Sequence, residues 1–122
     1  MTSPTPVLDE DALQRLRELD PGGRNRLLER VLLAFEASVL RLAPQLADAR
    51  RRDDMLGIRH VVHTLKSSSA SIGALRLSRL CAEIEAVVRQ EVPEGLLVLL
   101  DDMDRELAVV LKALQPMRGT PP

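Results

Sequence analysis

His63-Thr64-Leu65-Lys66-Ser67-Ser68-Ser69-Ala70-Ser71-Ile72-Gly73-Ala74 decides the fold, because it carries both a helical period and the residue that ends it. At about 100° per residue, Ile58, Val62, Leu65, Ser69 and Ile72 fall at spacings of four and three and form one inward stripe. His63 lies off that stripe. With the stripe as zero, Lys66 points to roughly 80°, Arg59 to 100°, Ala70 to 120°, His63 to 140°, Leu56 to 160°, Ser67 to 180° and His60 to 200°. The histidine therefore belongs to a solvent face with basic neighbours and small side chains around it.

Working outward, a chain of 122 residues suits one domain with a single core. Apolar residues make up 45% of it but aromatics only 1%, with Phe35 as the sole aromatic. The interior must then be built from Leu, Val, Ile and Ala, which favours interdigitating helices over a sheet. A net charge of −1 gives no strong nonspecific attraction to nucleic acid, and without Trp or Tyr there is no stacking platform for single strands. The lone Cys81 cannot form an internal disulfide, and no apolar run approaches the ~20 residues that span a bilayer. With no basic and then apolar leader, the expectation is a soluble cytoplasmic protein.

Residues 1–7 read as a disordered leader, residues 8–116 as the folded domain and residues 117–122 as a disordered tail. Asp9 suits the N-cap of a short first helix, which Asp20-Pro21-Gly22-Gly23 stops. From Arg24, Leu27, Leu28, Val31, Leu32, Phe35, Val39, Leu42 and Leu46 predict a long second helix, kinked or divided near Pro44. Asp53 or Asp54 caps the third helix, Gly73 breaks it, and the fourth carries Leu77, Leu80, Cys81, Ile84, Val87 and Val88. Pro93 suits the first position of a fifth helix with an apolar face of Leu96, Leu97, Leu100, Met103, Leu107, Val110, Leu111 and Leu114. The predicted fold is all-α: an antiparallel up-down four-helix bundle with a short N-terminal capping helix. Each helix has one apolar face, enough for one core, so a monomer is expected.

Folding the chain at Gly73 brings residues on either side level. His63 lies ten residues before that glycine and Glu85 twelve after, at heights of roughly 15 and 18 Å from the turn. A contact between them would let Glu85 accept the Nδ1 proton and leave Nε2 as an outward lone pair, as a phosphoryl acceptor requires. Lys66, one turn on, would put positive charge near the transferred oxygens. Cys81, on the inward side of the fourth helix, is expected to be a small core residue. His60 has no evident partner and reads as an exposed rim histidine.

These residues carry a resemblance. His63-x-x-Lys66, the small-residue run, Gly73-Ala74, Leu77, Cys81 and Ile84-Glu85 resemble the signature of histidine-containing phosphotransfer (HPt) domains, the phosphocarriers of multistep phosphorelays. The likeness spans nearly the whole chain. It implies His63 as phosphoacceptor, Lys66 as an aid to phosphate charge and Glu85 as the residue that orients the imidazole. It further implies that Leu56, Arg59, His60, Ser67 and Ala70 form a face on which receiver domains dock. Ser67 stands where many members carry glycine.

The implied function is relay of a phosphoryl group between receiver-domain aspartates, without autonomous kinase activity, since the chain has no Gly-rich phosphate loop or Walker motif. The implied partners are response-regulator receivers and a hybrid sensor histidine kinase, with Mg²⁺ brought by the receiver and no intrinsic cofactor. The alternative is a non-catalytic bundle that docks receivers without relaying phosphate. A di-metal bundle enzyme would need inward Glu-x-x-His pairs, and neither His60 nor His63 has a glutamate three residues before it.

Overall fold

The structure is a computed structural model that describes residues 6–90 and 93–119. Among them are five α-helices and no strand: α1 (Glu10–Glu18), α2 (Leu27–Arg51), α3 (Met55–Ser71), α4 (Leu75–Val88) and α5 (Leu96–Leu114). Helices α2 to α5 form the up-down bundle, with α3 packed between α2 and α4, and α4 against α5. The short α1 packs on α2. Its start is tied to the α3–α4 turn, where the Asp9 amide donates to the Gly73 carbonyl at 2.8 Å.

The core is aliphatic, as the composition required. Leu32, Ile58, Val62, Leu65, Leu77, Ile84, Leu100 and Met103 are fully buried, and Phe35 joins them. Removing each large apolar side chain from water contributes about 1.5–3 kcal/mol. Val61 is also buried, so the inward face of α3 is wider than the stripe read from the sequence.

The helix ends follow local chemistry. Asp9 caps α1 by accepting from the Ala12 amide at 3.1 Å, and Asp54 caps α3 by accepting from the Gly57 amide at 3.0 Å. The α2–α3 and α3–α4 turns share one hydrogen-bond pattern. After α2, the amides of Asp53 and Asp54 donate to the carbonyls of Arg50 and Ala49; after α3, those of Gly73 and Ala74 donate to Ala70 and Ser69. Each turn places its hinge residue in the left-handed region, at φ 51° for Asp53 and 80° for Gly73.

Five details differ from the sequence expectation. Helix α2 is one continuous element through Pro44, because the proline removes one intrahelical bond while Val39, Leu42 and Leu46 on either side remain anchored in the core. It begins at Leu27, since Arg26 is left-handed and the Asp20 carboxylate, reaching across a 3₁₀ turn at Pro21–Gly23, accepts from the Leu27 and Asn25 amides. Helix α5 begins at Leu96, because Gly95 at φ 78° cannot be helical and leaves Pro93 in the preceding turn; Leu97 is then exposed. Residues 117–119, expected to be disordered, fold back on the bundle. Met117 packs on the core and Arg118 lies 2.9 Å from Glu36. Val7, assigned to the leader, is half-buried against the core; residues 1–5 and 120–122 lie outside the described residues.

Gly73 meets two demands at once. Its φ is positive, and a Cβ there would stand 2.8 and 2.9 Å from the backbone N and O of Asp9. Gly73→Ala should therefore destabilise the protein by about 1–3 kcal/mol, measured by urea denaturation against the parent; equal midpoints would show that α1 moves aside without cost.

Candidate functional site

The packing of α3 on α4 brings His63, Lys66 and Glu85 together. His63 Nδ1 lies 2.7 Å from Glu85 Oε2, and Lys66 Nζ donates to Glu85 Oε1 at 2.9 Å. The height argument at the Gly73 turn holds, and the carboxylate lies deep between the helices: Glu85 is only 6% exposed. Its burial follows from Cys81 and Ile84 on the same helix, which are fully buried and draw the adjoining face inward.

A buried carboxylate is charged only if its surroundings favour the anion. Hydrogen bonds from Lys66 first, then from His63, hold the Glu85 pKa down at about 2 against the opposing effect of burial. An ionised carboxylate has no proton to donate, so Nδ1 must be the donor. In the neutral ring this fixes the Nδ1–H tautomer, whose lone pair is on Nε2. With the His63 side chain 66% exposed, that lone pair is a nucleophile open to an approaching group.

Around the ring, Leu56, Arg59, His60 and His63 line one shallow depression. Leu56 is 77% exposed, and Ser67 and Ala70 are exposed further along α3. All six side chains assigned to one face thus lie on one exposed surface. No ion pair or side-chain hydrogen bond engages the His60 imidazole among the described residues; its backbone carbonyl accepts from the Thr64 hydroxyl.

The serine run divides by direction. Ser67 is exposed; Ser68 and Ser71 bond back to carbonyls in the preceding turn; Ser69 is fully buried. Small side chains there serve the α3–α4 contact as much as the open face. Cys81 is buried with its Sγ 3.8 Å from Met103 Sδ, and burial pushes its thiol up to about 12. It is an inert core residue.

Two contributors were not singled out from the sequence. Ser78 donates its hydroxyl to the Lys66 carbonyl at 2.9 Å and so ties α4 to the backbone that carries the site. Arg89 places a guanidinium nitrogen 3.9 Å from Glu85 Oε1. Its spacing of four residues from Glu85 on one helix was the available signal. Among the described residues no group of three or more His, Cys, Asp or Glu side chains converges where a metal could sit.

The chain matches the family model described as "Hpt domain" over residues 30–115. It is 28% identical over 111 residues to histidine-containing phosphotransfer protein 2 of Arabidopsis thaliana, covering 88% of this chain and 71% of that protein. The fold matches the crystal structure of histidine-containing phosphotransfer protein B from Pseudomonas aeruginosa with a TM-score of 0.82 and 26% identity, over 94% of this chain and 96% of the other.

The lowered Glu85 pKa has a pH signature. Its contribution to stability is complete above the ordinary carboxylate value of 4.5 and is lost as pH falls through about 2. Glu85→Gln should therefore lose less stability between pH 5 and pH 2 than the parent, checked by denaturant midpoints across that range; parallel curves would mean that Glu85 is not held ionised.

Proposed function

The chain belongs to the Hpt domain family, and from that membership we propose that His63 takes up a phosphoryl group from one receiver-domain aspartate and passes it to another. Its role is phosphotransfer in a phosphorelay, with receiver domains and kinases as the class of partner. The observation that carries the assignment of the acceptor is the 2.7 Å contact of Nδ1 with Glu85 on a ring that is 66% exposed.

In the transfer, the Nε2 lone pair attacks the phosphorus of the receiver's aspartyl phosphate in line. The N–P bond forms as the P–O bond breaks, and the aspartate carboxylate leaves with the electron pair. The Nδ1 proton stays in place, so the phosphorylated ring carries a positive charge that faces Glu85. Lys66, one third exposed, supplies charge to the phosphoryl oxygens. The Mg²⁺ that neutralises the phosphate is the receiver's own, and no step on this chain's side passes through it.

The depression lined by Leu56, Arg59, His60 and His63, extended by Ser67 and Ala70, is the docking face in this reading. A receiver presents its phosphoaspartate there while apolar contact with Leu56 excludes water. The protein works as a monomer without kinase activity of its own, in the cytoplasm, with a hybrid sensor histidine kinase as the upstream source. No described helix is long and apolar enough to cross a membrane. A bundle that only docks receivers would have no use for a buried carboxylate that orients the ring.

The test is incubation with a phosphorylated receiver and measurement of acid-labile phosphate on this chain. His63→Gln should abolish labelling with the fold intact, and His60→Gln should leave it nearly unchanged; label on the His63 variant would sink the assignment. Lys66→Ala should slow transfer by about tenfold, less than the loss typical of a buried preorganised donor, with receiver affinity nearly unchanged. Ser67→Tyr should block docking and transfer together, because its side chain stands beside the path to Nε2; normal transfer by that variant would place the docking face elsewhere.

A further inference from the structure

Glu85 Oε1 faces two cations that cannot be equivalent. Lys66 Nζ is at hydrogen-bonding distance, 2.9 Å, whereas Arg89 Nη2 stands back at 3.9 Å. Lys66 reaches the carboxylate from α3, three residues beyond His63. Arg89 reaches it from the end of α4, four residues beyond Glu85, with 62% of its side chain exposed. Among the described residues Arg89 has no other ion-pair partner. The charged and titratable groups facing the carboxylate are thus His63 and Lys66 from α3 and Arg89 from α4, with the neutral Cys81 thiol one turn back.

Lys66 has two duties that conflict. If its ammonium turns toward the phosphoryl oxygens at Nε2, which carry close to two negative charges, the 2.9 Å contact with Glu85 lengthens or breaks. A buried carboxylate that loses its nearest donor is driven toward protonation, and a protonated Glu85 no longer requires the Nδ1–H tautomer. That loss would come at the moment when the ring becomes cationic. Arg89 needs to move by only about 1 Å to reach ordinary charge-assisted hydrogen-bond distance, and its exposed arm has the freedom to do so.

We propose that Arg89 is a positioning residue that takes over Glu85 Oε1 when Lys66 is drawn to the phosphoryl group, so that the imidazole stays oriented through the transfer. This rests on His63 being the acceptor. No atom is exchanged in the handover: one N–H···O contact replaces another on the same oxygen, and the Nδ1 proton remains on the ring. Arg89 also sits where any cation suits the negative end of a helix dipole. A role confined to the dipole would change thermal stability without touching the ring.

The experiment is ¹⁵N NMR of the His63 ring together with phosphotransfer from a phosphorylated receiver, on the full chain and on Arg89→Gln, Arg89→Lys, Lys66→Gln and the Lys66→Gln/Arg89→Gln pair. Circular dichroism confirms that each is folded. Either cation alone should keep the Nδ1–H tautomer, so both glutamine single variants should show the parent ring signature and the pair a mixture of tautomers. Arg89→Gln should slow transfer by about fivefold, the scale of one partly exposed charge contact, and Arg89→Lys should restore it. The proposal is overturned if the pair keeps the pure tautomer, if Lys66→Gln alone already mixes it, or if Arg89→Gln transfers at the parent rate. Labelling of His63→Gln in the same assay would instead overturn the choice of acceptor.

Discussion

The turn at Gly73 determines how far α4 is displaced along α3, and the whole of the site depends on that register. The glycine occupies a left-handed conformation and lets the Asp9 backbone approach where a side chain would collide. One residue thus closes the α3–α4 hairpin and docks the start of α1 on it. A helix shifted by a residue turns its side chains by about 100° and moves them by about 1.5 Å. The 2.7 Å contact between His63 and Glu85 would not survive that change.

Given the register, electrostatics follows from burial. Cys81 and Glu85 lie one turn apart on the same helix, and burial acts on both by disfavouring the charged form. For Cys81 nothing opposes it effectively, and the thiol stays neutral. For Glu85 the hydrogen bonds from Lys66 and His63 prevail, and the carboxylate stays charged. Two acidic groups on one helix are thus sent in opposite directions by their partners. The charged one sets the tautomer of the histidine, so the nucleophilic nitrogen outside is selected by a group buried inside.

The outer face of α3 has the opposite character. Leu56, Arg59, His60 and Ser67 are open to solvent beside the ring, while Ile58, Val62 and Leu65 on the inner face are buried. The His63 ring is carried on the surface of a helix and not in a closed cleft, with 66% of its side chain exposed. The serines reconcile the two faces. Ser69 is fully buried on the inner side, and Ser67 keeps the outer surface low.

Much of this was legible in the sequence, because helical period and turn chemistry are local. The apolar stripes gave the bundle, Asp9 and the Asp53-Asp54 pair marked helix starts, and counting outward from Gly73 placed Glu85 level with His63. Local rules also misled. Proline near the middle of α2 argued for a break, yet one lost hydrogen bond is small beside a buried face that continues on both sides. The start of α2 at Leu27 was hidden because its cap, Asp20, reaches in from seven residues away across a turn. Residue types and spacing by themselves determined the fold class and the pair of residues brought to one height. Only the tertiary structure decided how deep Glu85 lies and which cations surround it, because burial and the sharing of one carboxylate oxygen by Lys66 and Arg89 depend on how two helices pack, and no single helix encodes that.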